Sequence, residues 1–165
     1  MTRAPLAGLL SSLAFAVVTA ASTQVSPQPQ SASGSAPDPF PETTGKAALM
    51  KVCSNCHSAE TVIQTLRTRQ EWSEVIDQMA RFGADATDQE FDQILAYLAK
   101  HFSPIRVNKA AAKDLEGLLD VPANVAEAIV AYRQGNGEFK TVDDVKKVPE
   151  LDSSKIDALK SRIVF

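Results

Sequence analysis

DLEGLLDVPANVAEAI (114–129) and DVKKVPELDSSKIDAL (144–159) are two copies of one pattern set thirty residues apart. Asp114-Leu115 aligns with Asp144-Val145, and Leu118 with Val148. Ala126, Ala128 and Ile129 align with Ile156, Ala158 and Leu159. Each copy reads as a short helix, a tight turn and a longer helix. Pro122 and Pro149 break the short helices. Gly135-Asn136-Gly137 ends the helix that starts near Ala123, because these residues tolerate left-handed backbone. Thr141-Val142-Asp143-Asp144 opens the next one, and Ile156, Leu159 and Ile163 line the last. Neither copy could bury its apolar face alone. The two are expected to pack as a pseudo-twofold four-helix unit over 104–165.

Upstream, Cys53-Ser54-Asn55-Cys56-His57 is a C-x-x-C-H run, the attachment signature of c-type haem. Two thiols at this spacing can bond the two vinyl groups of one porphyrin, and His57 can give its imidazole to the iron. These are the only two cysteines among 165 residues, so none is left for a disulfide. A thioredoxin-like dithiol would need a βαβ surround, and a structural zinc site about four ligands. The residues here favour covalent haem c, one per chain.

The segment around this run, 43–103, reads as all helix. Thr43 or Thr44 can cap a helix carrying Ala47, Ala48, Leu49 and Val52. A second helix, from about 71 to 82, places Trp72, Val75, Ile76, Met79 and Phe82 on one stripe, with Gly83 as its stop. Thr87-Asp88-Gln89-Glu90 is a capping box that opens a third helix with Phe91, Ile94, Leu95, Leu98 and Phe102 on one face. Met79 shares the apolar stripe with Trp72 and is the expected distal iron ligand. His101, at the end of the third helix, and an open iron site are the alternatives. Arg67 and Arg69 are candidate partners for a haem propionate, or else solvated surface charges.

Residues 1–22 read as a secretory signal: Arg3 first, then an apolar run from Leu6 to Val18, too short to span a membrane comfortably, then small residues for cleavage. Residues 23–42 are rich in Pro, Ser and Gln and read as a disordered linker. An exported, periplasmic protein follows, with no membrane insertion after cleavage.

Two resemblances add to this. Residues 45–102 resemble the class I cytochromes c in Cys53, Cys56 and His57, in a Trp72-to-Met79 helix followed by Gly83-Ala84, and in the closing helix around Tyr97. That resemblance implies a six-coordinate haem carrying one electron, its potential raised by His/Met ligation. Residues 104–165 resemble the tandem helix-hairpin-helix domains of competence DNA receptors, through Asn108-Lys109-Ala110, Tyr132-Arg133 and Gly137-Glu138-Phe139. Both imply an all-α chain.

DNA-binding hairpins usually carry Gly-hydrophobic-Gly in the turn, so that backbone N–H groups approach a phosphate closely. This chain has Asp120-Val121-Pro122 and Glu150-Leu151-Asp152 instead. Residues 103–165 hold ten Lys or Arg against ten Asp or Glu, residues 23–102 hold six against ten, and the whole chain carries −3. No basic footprint of the kind DNA binding needs stands out. Lys140, Lys146 and Lys147 form one local cluster. No nucleophile is paired with a base, so no enzyme is expected. Three readings follow. The first is a periplasmic monohaem electron carrier whose hairpin domain docks a redox protein partner. The alternative is a DNA-binding or DNA-uptake protein with a haem domain. The third is a haem sensor or peroxidase-like protein with an open iron site.

Overall fold

Three amphipathic segments in the first half become three helices in the computed structural model, which describes residues 38–165. They are α1 (Lys46–Cys53), α2 (Arg69–Arg81) and α3 (Asp88–His101), with a 3-10 turn at Ala59–Gln64. The expected signal, 1–22, and most of the expected linker lie outside the described residues. The linker's end does not behave as a tether: Phe40 is buried and packs edge-on against Phe102, ring centroids 5.8 Å apart. The Asp38 carboxylate accepts from the Phe40 N–H, and the Tyr97 hydroxyl donates to the Pro41 carbonyl, both at 2.9 Å.

The caps explain where each helix starts. Thr87 and Glu90 form the expected box on α3, and Thr68 and Glu71 form a second one that starts α2 before the expected boundary. Each box satisfies amide groups left without intrahelical partners. The cap on α1 is Gly45, at φ 99°, rather than Thr43 or Thr44. A Cβ at Gly45 would sit 2.6 Å from the Gln93 carbonyl oxygen and 2.7 Å from Tyr97 Cβ. The close approach of α1 to α3 therefore requires glycine. Trp72, fully buried between α2 and α3, donates from Nε1 to the Phe102 carbonyl at 3.3 Å, and the Arg67 guanidinium lies 5.0 Å from the centre of its ring.

The second half contains α4 (Ala112–Leu119), α5 (Ala123–Asn136), α6 (Val142–Val145) and α7 (Ser153–Leu159) around one apolar core that includes Leu115, Leu119, Ile129, Val145 and Ile156. The repeat is real at backbone level. Among the described residues, Asp120 and Glu150, thirty residues apart, are the two non-glycine residues with positive φ, at 54° and 62°. Pro122 and Asp152 follow as the N-caps of α5 and α7. The marks Asn108, Tyr132, Arg133 and Phe139 prove to be structural ties. The Asn108 side chain exchanges two 2.8 Å hydrogen bonds with the Phe139 backbone. Arg133 donates to the carbonyls of Val107 (2.6 Å) and Ala110 (2.9 Å), and Tyr132 stacks on Phe139 at 5.5 Å.

The fold is mostly helical, with one feature the all-α expectation lacks. β1 (Ile105–Arg106) pairs in parallel with β2 (Ile163–Val164), so Ile163 lies in a strand and not on the last helix. Arg162, just before β2, is buried and donates to the carbonyls of Lys100 (2.7 Å) and Ser103 (3.0 Å) at the end of α3. It joins the two helical halves, and burial pulls its guanidinium down to about 10.

Candidate nucleic-acid interface and an apolar cavity

The two hairpin turns lie side by side. Asn124, on the first turn of α5, donates to the Glu150 carboxylate at 3.1 Å, and Lys155, on α7, donates to the Asp120 carbonyl. The Asp120 carboxylate lies 3.6 Å from Lys155 Nζ and 3.8 Å from Lys100 Nζ. Asp152 spends its carboxylate on the Ser154 N–H, at 2.8 Å. That amide opens α7 and in a glycine turn would face a phosphate. Three carboxylates and one proline therefore stand where DNA-binding hairpins have glycines, as the sequence implies. Two members of the lysine cluster are paired: Lys146 with Asp143 (3.3 Å) and Asp157 (2.5 Å), and Lys147 with Asp144 (2.8 Å).

A different surface is basic. An open cleft of about 840 Å³ runs between the N-terminus of α2, the C-terminal part of α3 and α4. Arg69, Lys100, Arg106, Lys109 and Lys113 line it, against Asp114, Glu116 and Asp120. Glu116 is engaged with Lys113 at 3.0 Å. Sequence reading missed this surface because its cations come from α2, α3, β1, the turn after β1 and α4 and form no run.

The first half holds a cavity of about 390 Å³ with apolar walls, including Val52, Val75, Ile76, Phe91, Ile94 and Leu98. Cys53, Cys56, His57 and Met79 all line it, as does Arg67. Cys56 and His57 are exposed at its edge, while Cys53 and Met79 are half-buried. Burial pushes the Cys53 thiol up from its ordinary value, which favours the protonated form. The His57 Nδ1 lies 3.1 Å from the Ser58 carbonyl. His101 is elsewhere: its Nε2 bonds the Thr43 hydroxyl at 2.8 Å and its ring packs on Tyr97 at 4.8 Å. Among the described residues, no group of three or more His, Cys, Asp or Glu side chains gathers in a way that could hold a metal ion. Nor is any helix there long and apolar enough to cross a membrane.

A family profile described as a helix-hairpin-helix motif matches residues 100–164. ComE operon protein 1 of Bacillus subtilis (strain 168) is 37% identical to this chain over 59 residues. That match covers 36% of this chain and spans 29% of the relative's length. No solved structure matches. These findings correct the function expected from the sequence. The main reading, an electron carrier with one covalent haem c serving redox protein partners, gives way to the DNA-binding alternative, which the hairpin motif and the similarity to ComE operon protein 1 favour. The physical reason lies in what the Cys53–His57 run specifies. It sets the spacing of two thiols and an imidazole, and by itself it does not name what they hold. Residues 100–164 carry a helix-hairpin-helix motif.

Proposed function

We propose that this chain is a non-enzymatic DNA-binding protein, exported by its first 22 residues, in which the tandem hairpin domain of 104–165 meets the nucleic acid. The observation that carries this reading is the hairpin pair itself. It keeps the thirty-residue repeat, the left-handed residue in each turn and the match over 100–164. The resemblance to competence DNA receptors supplies the partner. The acidic turns set the expected strength: binding is weak, electrostatic and indifferent to base sequence. The test is fluorescence anisotropy of labelled duplex and single-stranded DNA with the mature chain at low salt. Saturable binding with Kd on the order of micromolar is expected, in the range of non-specific protein–DNA contacts. No binding at the lowest salt would overturn the reading.

Cys53, Cys56, His57 and Met79 are proposed as one ligand-holding site within the 43–103 domain. In support, all four line one apolar cavity although Met79 lies on a different helix from Cys53. The occupant suited to these walls is largely apolar, anchored through sulfur. Mass spectrometry of the peptide carrying Cys53 and Cys56, taken from exported protein, tests this. A stoichiometric adduct on both sulfurs supports the site, and unmodified thiols in folded protein overturn it.

A further inference from the structure

We infer that the DNA backbone docks in the cleft between the helical first half and α4, and not on the hairpin turns. This rests on the DNA-binding reading above and adds to it the surface and the residues. The turns are unsuited by construction. Asp120 and Glu150 occupy the positive-φ positions, Pro122 has no N–H, and Asp152 caps the amide that a phosphate would need. The cleft reverses that charge. It gathers five cations against three carboxylates on a chain whose overall charge is −3. Within it, Arg69, Arg106 and Lys109 are exposed and have no ion-pair partner among the described residues, whereas Lys100 and Lys113 lie near Asp120 and Glu116. Glu71 is the further carboxylate that feels Arg106, from its place in the capping box of α2, where its Oε2 accepts from the Thr68 amide and hydroxyl. The cleft is open and holds about 840 Å³. An extended strand can lie along it and present successive phosphates to the three unpaired cations.

The three cations come from α2, β1 and the turn after β1, so the cleft needs the two halves held together, which the Arg162 hydrogen bonds help to do. This gives the first half a part in binding: it supplies one wall of the site.

The test compares the full mature chain with an Arg69→Gln/Arg106→Gln/Lys109→Gln variant and a Lys140→Gln/Lys146→Gln/Lys147→Gln control. Each is titrated with the same labelled duplex and single strand across a salt series, and circular dichroism melts confirm the fold. Acylation of Lys109 in the unmutated protein, with and without DNA, gives a readout that needs no substitution. The expected result is a loss of roughly 30-fold or more for the cleft variant at about 50 mM salt. Its slope of log K against log salt becomes shallower by about 2–3, as three phosphate contacts would require. The control shifts by less than about threefold, and DNA protects Lys109. If the unmutated chain binds DNA but the cleft variant binds equally well and Lys109 stays reactive, the cleft assignment fails while the DNA reading stands. If the unmutated chain binds an acidic peptide through Lys109 and no DNA, both fail.

Discussion

Asp120 and Glu150 are the residues where fold and function pull apart. Both hold a left-handed conformation that costs an L-residue about 1 kcal/mol or more and glycine almost nothing. Both also place a carboxylate on the face that hairpins of this kind turn to phosphate. Replacing them together, Asp120→Gly/Glu150→Gly, should therefore raise stability by about 1 kcal/mol or more. Glu150 is not among the residues lining the cleft, so Glu150→Gly alone should leave the Kd for DNA within about twofold. Chemical denaturation and anisotropy at one fixed salt check both halves. A gain of about tenfold in affinity for Glu150→Gly would put a phosphate on the turn and contradict the cleft assignment. These positions were legible in the sequence, because the thirty-residue repeat aligns them. Arg69, Arg106 and Lys109 were not, since only folding brings them together.

The helices were legible where side chains carry the signal and hidden where backbone does. The Thr87 box and the stripes of α2, α3 and α5 follow from residue type and spacing. Gly45 gave no such signal: its role comes from the approach of α3, a contact across more than forty residues of chain. Gly45→Ala should destabilise the chain by about 2–4 kcal/mol, from the positive φ and from overpacking against Gln93 and Tyr97. A urea melt measures it, and a loss below about 1 kcal/mol would show that the helices can part. At the other end of α3, burial holds the His101 ring below the ordinary histidine range, with the Lys100 charge acting the same way. The neutral form is thus favoured in the folded state. Its contribution is complete above about pH 6.5. It declines as pH falls from there toward the lowered folded value. Melting temperature should fall between pH 7.5 and 5, and His101→Gln should flatten that dependence. An identical slope in the variant would assign the acid sensitivity elsewhere.

At the scale of the molecule, one buried guanidinium joins two helical halves. Arg162→Ala leaves the Lys100 and Ser103 carbonyls without their charged donor and should cost about 3 kcal/mol. It should also weaken DNA binding, because one wall of the cleft rides on α2. Hydrogen exchange at β1 and β2 reports the loosening, and full protection in the variant would contradict it. The C-x-x-C-H run shows the reach and the limit of sequence reading at this scale. Cys53, Cys56 and His57 of the run line one cavity together with Met79 of α2. The inference from that spacing to a redox carrier went further than the matches over 100–164 support. The hairpin half was legible as a fold, while the acids in its turns argue against the DNA partner proposed above. The central claim is that this acidic chain binds DNA through a small, local set of cations. It is tested most directly by the slope of log K against log salt for the mature protein on duplex DNA. The account predicts a linear decline with a slope near −3, set by about three phosphate contacts. Binding that is absent at every salt concentration, or that does not change with salt, would contradict it.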